Sequence, residues 1–149
     1  MPRALTERFG ELEYSEESTL LFPRGLPGFE ECRRFVLLDD PAFAPLVHLQ
    51  SLETQELCFL ALPVRSIDPG YEIALTDEDR GALGLKPEGS LETMTLGLAL
   101  LSATAEGGFS ANLLAPVVIH LSTRRAVQAV RMDTRYSHQH PLGEVVACS

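Results

Sequence analysis

Hydrophobic residues along the chain cluster in short runs, and this pattern predicts β-strands. The run 35–38 is continuously apolar, as expected of a buried strand. The runs 46–52 and 57–62 flank the polar segment 53–56, whose length suits a β-hairpin loop. Further strands are predicted over 18–22, 91–104, 109–114, 117–121 and 126–132. Strands spaced about 8–12 residues apart predict a mainly β fold, a single-domain antiparallel barrel or roll with one or two short helices.

Local signals predict where the chain turns and where its clearest helix lies. Pro27-Gly28 suits the central positions of a type II turn, and one helical turn is expected over 29–34. Thr76 and Asp79 have the spacing of a capping box, and Gly84 suits the end of a helix. We therefore expect a short helix between Thr76 and Gly84.

The length and composition are those of one globular domain. The chain has 149 residues, of which 45% are hydrophobic and 22% are charged, and this excludes collagen-like and largely disordered proteins. Residues 1–17 contain five glutamates and are predicted to form an acidic arm or an edge strand. Residues 18–142 form the predicted β domain, and residues 143–149 form a predicted C-terminal tail.

Acidic residues outnumber basic residues by 21 to 12, which gives a formal net charge of −9. Residues 1–75 carry a net charge of −7, from six basic and thirteen acidic side chains, and the remainder carries −2. Because phosphate binding requires clustered cations, we expect no direct nucleic-acid partner. An acidic surface is compatible with a basic protein partner, but it also keeps many cytosolic proteins in solution.

Cysteine usage and hydropathy indicate a reducing compartment. The cysteines Cys32, Cys58 and Cys148 are odd in number and lack CxxC spacing, so we expect neither a disulfide framework nor a zinc site. The N-terminus lacks an apolar secretory segment, and the longest apolar stretch, Leu91–Ala105, is too short to span a bilayer. We therefore expect a cytoplasmic protein with no membrane contact.

The chain contains no sequence motif that assembles catalytic groups. A nucleophile elbow, a phosphate-binding loop and a dinucleotide fingerprint are all missing from the sequence, so we predict no enzyme activity and no cofactor. His138 and His140 would lie on one side of an extended segment, which makes a small metal-dependent enzyme the alternative. Only Asp133 has a suitable spacing as a further ligand, and an exposed tail is the simpler interpretation. His120, inside an apolar run, is expected to be a hydrogen-bonded structural histidine.

Basic side chains concentrate near the C-terminus. The cluster comprises Arg124, Arg125, Arg131 and Arg135. Arg125 and Arg131 are six residues apart and would share one face of a regular strand. The cluster is therefore either a protein-binding edge that contacts carboxylates or an ordinary solvated surface.

Five segments carry a recognisable pattern in a consistent order. They are FPRGLPGFE at 22–30, LQSL at 49–52 with LCFL at 57–60, YE at 71–72 with LTDED at 75–79, NLLAPVVI at 112–119, and Tyr136 with HPL at 140–142. Together they resemble the flagellar assembly factor FliW family over nearly the whole chain. The sequence departs from the family pattern at His48, His120 and Gln139.

The resemblance implies a cytosolic regulatory protein without catalytic activity. Members of this family bind flagellin before export, and they bind CsrA, a small RNA-binding repressor of flagellin translation. Export of flagellin would release the factor, which would then capture CsrA and lift the repression. A generic protein-interaction module without a regulatory role is the remaining alternative.

Candidate partner-binding residues are found in two parts of the chain. In the first part, Phe29 and Glu30 follow a rigid turn that could present them at the surface, although Phe29 could equally lie in the core. Gln50 and Ser51 lie in a predicted strand, where they are candidates for the solvent-facing positions of an alternation.

In the second part, Tyr71 and Tyr136 have the amphipathic character of interface anchors, but each could equally cap the barrel. Asn112 is a candidate contact, although a role in a turn is favoured. An unpaired strand edge near Pro116 would suit strand addition by the extended tail of a partner. Arg125 is a candidate from the basic cluster.

Overall fold

An antiparallel sheet of nine strands forms most of the described protein. The computed structural model describes residues 2–39, 41–86, 91–133 and 135–142. Within these ranges the strands are β1 (Arg3–Thr6), β2 (Gly10–Glu13), β3 (Thr19–Leu21), β4 (Arg34–Asp39), β5 (Val47–Ser51), β6 (Cys58–Pro63), β7 (Thr95–Ala103), β8 (Phe109–Ala111), β9 (Val117–His120), β10 (Ala126–Gln128) and β11 (His140–Pro141). The helices are α1 (Val64–Ile67), α2 (Asp77–Leu83) and α3 (Leu91–Met94).

The strand order of the main sheet is β10-β9-β7-β6-β5-β4-β3, and all these neighbours are antiparallel. Strand β8 pairs with both β7 and β11 beside this path. The predicted hairpin of 46–52 with 57–62 is confirmed by the pairing of β5 with β6, in which Leu49 lies opposite Phe59. Successive strands from β3 to β7 are neighbours, and the long connection from β6 to β7 contains α1, α2 and α3.

The sheet curls so that its two outer strands meet at one point. A single parallel bridge joins Leu21, at the end of β3, to Arg125, just before β10, and the Leu21 N–H donates to the Arg124 carbonyl at 3.0 Å. The next bond of a parallel ladder would need an N–H at Pro23, which proline lacks. The sheet is therefore a roll rather than a closed barrel, and the predicted mainly β fold class is confirmed.

The sheet is covered on both faces around β9. Val117 and Ile119 are buried in one hydrophobic cluster, and Val118 is buried in another beside Leu83 of α2. Burial on both faces explains why this strand is a continuous apolar run. Each fully buried aliphatic side chain stabilises the fold by about 1.5–3 kcal/mol.

Three predicted elements differ in the structure. The predicted strand 91–104 begins as helix α3, because the Thr95 hydroxyl donates to the Leu91 carbonyl at 2.5 Å and closes a helical turn before β7. The predicted helical turn at 29–34 is a non-helical turn followed by β4. The predicted alternative of an edge strand near the N-terminus is not formed in the main sheet, because β1 and β2 pair only with each other as a separate hairpin.

The division of the chain into segments stays a prediction. The predicted tail at 143–149 lies outside the described residues. None of the helices in the part of the chain that the structure describes is long and apolar enough to cross a bilayer.

Helix α2 begins and ends at the predicted residues. The Thr76 hydroxyl accepts a hydrogen bond from the Asp79 N–H at 3.0 Å, and the Asp79 carboxylate accepts from the Thr76 N–H at 3.1 Å. Gly84 follows the helix in the left-handed conformation, with φ of 71°. The capping box and the glycine end are therefore confirmed, and they fix the position of this short helix against the sheet.

We expect Thr76→Ala to lower the free energy of unfolding by about 1 kcal/mol, because it removes the oxygen that caps α2. Thr76→Ser keeps that oxygen and should lie close to the wild type. Urea denaturation of the three proteins measures the difference. Equal midpoints for the alanine and serine variants would contradict the capping role.

Candidate protein-interaction site

The loop Pro23–Glu30 is held by two glycines in left-handed conformations. Gly25 has φ of 67°, and a Cβ at this position would lie 2.6 Å from the Cα and O atoms of Glu30. The Phe29 N–H donates to the Leu26 carbonyl at 2.7 Å, and Gly28 has φ of 85°. This hydrogen bond and this positive φ are those of the predicted type II turn at Pro27-Gly28. The loop therefore has a backbone conformation that few residue types other than glycine can adopt at positions 25 and 28.

An ion pair connects this loop to α2. The guanidinium of Arg24 lies 2.6 Å from the carboxylate of Asp79, which also belongs to the capping box. Burial alone would raise the pKa of Asp79, but hydrogen bonds from Arg24 and Thr76 outweigh burial and lower this pKa below its ordinary value. The loop and the start of the helix are thus fixed relative to each other.

A surface depression lies between this loop, the start of α2 and the segment that follows β10. We call it the loop–helix cleft; its volume is about 350 Å³. The residues that bear on its chemistry are Arg24, Pro27, Glu30, Glu78, Val130 and Met132.

The cleft combines exposed apolar side chains with negative charge. Val130 is 53% exposed and Met132 is 90% exposed, which is unusual for large apolar side chains so close together in sequence. Arg24 is paired with Asp79, whereas Glu30 and Glu78 have no cation partner in the described part of the chain. An apolar surface edged by carboxylates is suited to contact with an apolar and basic polypeptide.

Two of the candidate residues from the sequence lie at this loop. Phe29 is 42% exposed and packs edge-on against Phe59, with ring centroids 5.8 Å apart, so it is partly core and partly surface. Glu30 is exposed, lines the cleft and accepts a hydrogen bond from the Gly28 N–H at 3.0 Å. Both can therefore contact a partner without a change in the fold.

Gln50 and Ser51 do not face solvent, so that expectation is wrong. Both side chains are buried, at 0% and 1% exposure. The Gln50 amide donates to the Gln55 carbonyl at 3.1 Å, and the Ser51 hydroxyl accepts from the N–H groups of Glu53 and Thr54. These two side chains bind the backbone of the β5–β6 loop.

The side chain of Arg131 packs against the rings of Tyr71 and Tyr136, whose centroids are 4.5 Å apart. The guanidinium carbon of Arg131 is 5.0 Å from each ring centroid, and its nitrogens bind both carboxylate oxygens of Asp133 at 3.0 and 2.9 Å. The bidentate hydrogen bond to Asp133 raises the pKa of Arg131 and lowers the pKa of Asp133. The arginine is therefore part of the folded interior.

The two tyrosines also hold distant parts of the chain through their hydroxyl groups. Tyr71 is buried and donates to the Leu113 carbonyl at 2.7 Å, so it is a core residue. Tyr136 is half-buried and donates to the carboxylate of Asp68 at 2.7 Å. This bond raises the pKa of Tyr136 and lowers the pKa of Asp68. Partner contact through Tyr136 stays a prediction.

The predicted basic cluster is divided in the structure. Arg131 is buried, whereas Arg125 and Arg135 are exposed, so the four arginines do not form one exposed basic surface. The guanidinium of Arg124 donates to the Glu17 carbonyl. Arg125 therefore stays available to a partner as a single surface cation and not as part of a basic edge.

Asn112 and Pro116 serve the fold at the turn before β9. The Asn112 side-chain oxygen accepts from the Ala115 N–H at 2.9 Å, which is the turn role that the sequence favoured. The Pro116 carbonyl accepts from the Ala129 N–H at 2.9 Å. The expectation of an unpaired edge near Pro116 is therefore wrong, because the extension of β10 occupies that edge.

The histidines do not assemble a metal centre within the described ranges. His138 is exposed and His140 lies in β11, and no three histidine, cysteine or acidic side chains in those ranges are placed to hold an ion. His120 is buried with its Nδ1 2.9 Å from the Leu83 carbonyl and 3.0 Å from the Thr123 hydroxyl. The predicted structural role of His120 is confirmed.

Comparison with known proteins agrees with this architecture. The family model described as FliW protein matches residues 3–142. The chain belongs to the FliW family. A crystal structure of the flagellar assembly factor FliW matches with a TM-score of 0.80 and 32% identity, over 95% of this chain and 96% of that chain.

FliW proteins of known sequence match over almost the same length. The flagellar assembly factor FliW of Syntrophotalea carbinolica is 31% identical, over 95% of this chain and 99% of its own length. The protein of the same name from Bacillus subtilis is 32% identical, over 93% of this chain and 94% of its own length. The whole fold, and not a part of it, is therefore shared with these FliW proteins.

Two of the three departures from the FliW pattern lie in the interior. His48 and His120 are buried, and His48 contacts the ring of Phe9 edge-on, with centroids 5.3 Å apart. Gln139 is exposed. Only the third departure therefore changes the surface that this FliW family member presents to solvent.

The apolar contribution of Val130 and Met132 was not found from the sequence. Both lie in the predicted strand 126–132, where alternation places them on the face opposite Arg131. A charged residue at 131 predicts that Arg131 faces solvent and its neighbours face the core. The opposite arrangement forms because Arg131 packs against the rings of Tyr71 and Tyr136 and binds Asp133.

We expect Gly25→Ala to destabilise the protein by at least about 2 kcal/mol, because the new Cβ would be strained at a positive φ and would collide with the backbone of Glu30. Gly28→Ala is the matched control: its φ is also positive, but nothing lies within 4 Å of the new atom. Urea denaturation should show a clearly smaller loss for the control. Equal losses would contradict the close contact with Glu30.

We also expect the ion pair of Asp79 to make stability depend on pH. The folded state lowers the pKa of Asp79 from 3.8, so the stabilisation is complete above pH 3.8 and is lost as the pH falls through the lower pKa. Asp79→Asn should therefore destabilise the protein most at neutral pH, and the difference from the wild type should shrink in acid. Urea denaturation from pH 7 to pH 3 measures this difference.

Asp77→Asn is the control for this experiment, because Asp77 is an exposed carboxylate in the same helical turn. Its effect at neutral pH should be smaller than that of Asp79→Asn. A difference between Asp79→Asn and wild type that is the same at every pH would contradict the stabilising role of the ionised Asp79.

Proposed function

We propose that this protein is a non-enzymatic flagellar assembly factor that acts in the cytoplasm by binding flagellin and the translational regulator CsrA. The observation that carries the proposal is the match of the FliW family to residues 3–142, together with FliW relatives that align over almost their full lengths. Within the described residues, the site geometry adds a cleft suited to a polypeptide.

The proposed mechanism is a competition for one limited protein. When flagellin accumulates, it occupies the factor, and CsrA remains free to repress flagellin mRNA. When flagellin is exported, the free factor binds CsrA and lowers the concentration of active repressor. The concentration of each partner therefore determines, through mass action, how much of the factor is free to bind the other partner. No covalent step is required.

The charge distribution supports a basic polypeptide partner. The net charge is −9, and −7 of it belongs to residues 1–75, which include Glu30 of the loop–helix cleft. Negative potential of this kind increases the rate of association with a basic protein, and added salt weakens it. Binding to CsrA is therefore expected to slow and weaken as ionic strength increases.

The proposal is tested with purified components. Isothermal titration calorimetry should detect binding of the full chain to flagellin and, separately, to CsrA. In a gel-shift experiment with flagellin leader RNA, the chain alone should give no shift. It should release RNA that CsrA has bound, and added flagellin should restore the CsrA–RNA complex. Absence of binding to both proteins at micromolar concentration would overturn the proposal.

Charge reversal locates the contact surface. The double variant Glu30→Lys and Glu78→Lys should weaken binding of at least one partner by about tenfold. The reason is that each carboxylate contributes between a fraction of a kcal/mol and a few kcal/mol to the binding free energy. Glu106→Lys changes an exposed carboxylate in the β7–β8 turn, outside the cleft, and is the control. Unchanged affinity of the double variant for both partners would place the contact elsewhere.

A further inference from the structure

The segment that follows β10 has one paired edge and one open edge. The N–H groups of Ala129 and Arg131 donate to the carbonyls of Pro116 and Leu114, each at 2.9 Å. In an extended segment the N–H and C=O groups of successive residues point to opposite edges. Those of Val130, which lies between the two bonded residues, therefore point away from β9, and the chain bends at Met132. The backbone groups of Val130 and Met132 have no hydrogen-bond partner in the part of the chain that the structure describes.

The open edge exists because the roll does not close beside it. Strand β3 meets the chain at the bridge between Leu21 and Arg125, and Pro23 then lacks the N–H that would continue the ladder. Beyond this point the loop turns away at Gly25, and the loop–helix cleft lies between the loop and the open edge. The cleft is thus the space into which a further strand would be added.

The side chains around this edge indicate what would bind there. Val130 and Met132 are exposed and supply apolar contact on one face. Glu30 and Glu78 supply negative charge, whereas the positive charge of Arg24 is already paired with Asp79. The complementary ligand is an extended segment in which apolar and basic side chains alternate.

We infer that the edge at Val130 and Met132 accepts an extended apolar and basic segment of a partner protein as an additional β-strand. This inference rests on the proposed function in one respect, because the occupant is a segment of a protein that this chain binds. Main-chain hydrogen bonds to Val130 and apolar contact with the exposed Met132 side chain supply affinity, and contacts with Glu30 and Glu78 select for basic residues.

The first experiment uses the wild-type chain and a synthetic hexapeptide of alternating lysine and valine. Amide hydrogen exchange followed by NMR should show that the peptide slows exchange at Val130 and Met132. The amides of Ala129 and Arg131, which already donate to carbonyls, should change little. A peptide of alternating glutamate and valine is the control and should protect neither amide. Equal exchange at Val130 and Met132 with and without the lysine peptide would overturn the inference.

The second experiment uses the two proposed partners and a pair of variants. Val130→Pro removes the open N–H without breaking a described hydrogen bond, and should weaken binding of at least one partner by about tenfold. Val130→Thr keeps the N–H and the branched shape and should bind like the wild type. Thermal melting shows whether both variants fold. Wild-type affinity of a folded Val130→Pro variant for both partners would overturn the inference.

The two experiments separate this inference from the proposed function. Failure of flagellin and CsrA to bind the wild-type chain would remove the proposed function, while the lysine–valine peptide would still test the edge. Binding of both proteins without protection at Val130 and Met132 would keep the proposed function and exclude strand addition.

Discussion

The outer strands β3 and β10 approach each other at one bridge, between Leu21 and Arg125, and then separate. The separation has a covalent cause, because Pro23 has no N–H to donate to the next position of the ladder. The loop that follows is turned by Gly25 and fastened to α2 by the ion pair of Arg24 and Asp79. The cleft, the exposed apolar residues and the open strand edge all lie beside this interrupted pairing.

Features that depend on neighbouring residues could be predicted from the sequence. The capping box of Thr76 and Asp79 and the turn at Pro27-Gly28 each lie within four residues, so local spacing determines them. The β5–β6 hairpin was equally clear, because two apolar runs flank a short polar loop. The family pattern extended these local predictions to the whole fold.

Features that depend on distant residues could not be predicted in this way. Arg131 is buried because it packs against two tyrosine rings, and Tyr71 is 60 positions away in the sequence. Gln50 is polar and yet buried, and its amide nitrogen donates to the loop carbonyl of Gln55. The first turn of the apolar run 91–104 is helical, since a hydroxyl–carbonyl bond at Thr95 closes it. Alternation of polar and apolar residues shows that a strand has two faces. Contacts with distant residues determine which of the two faces points into the interior.

An open strand edge also affects how copies of the protein behave towards one another. Unpaired N–H and C=O groups next to exposed valine and methionine form a surface on which identical chains can stack. The net charge of −9 opposes such stacking, since every copy repels every other. This repulsion acts over a Debye length of about 10 Å at 0.1 M salt, and its range decreases at higher ionic strength. The net negative charge thus opposes self-association of the protein and leaves the open strand edge free for a partner.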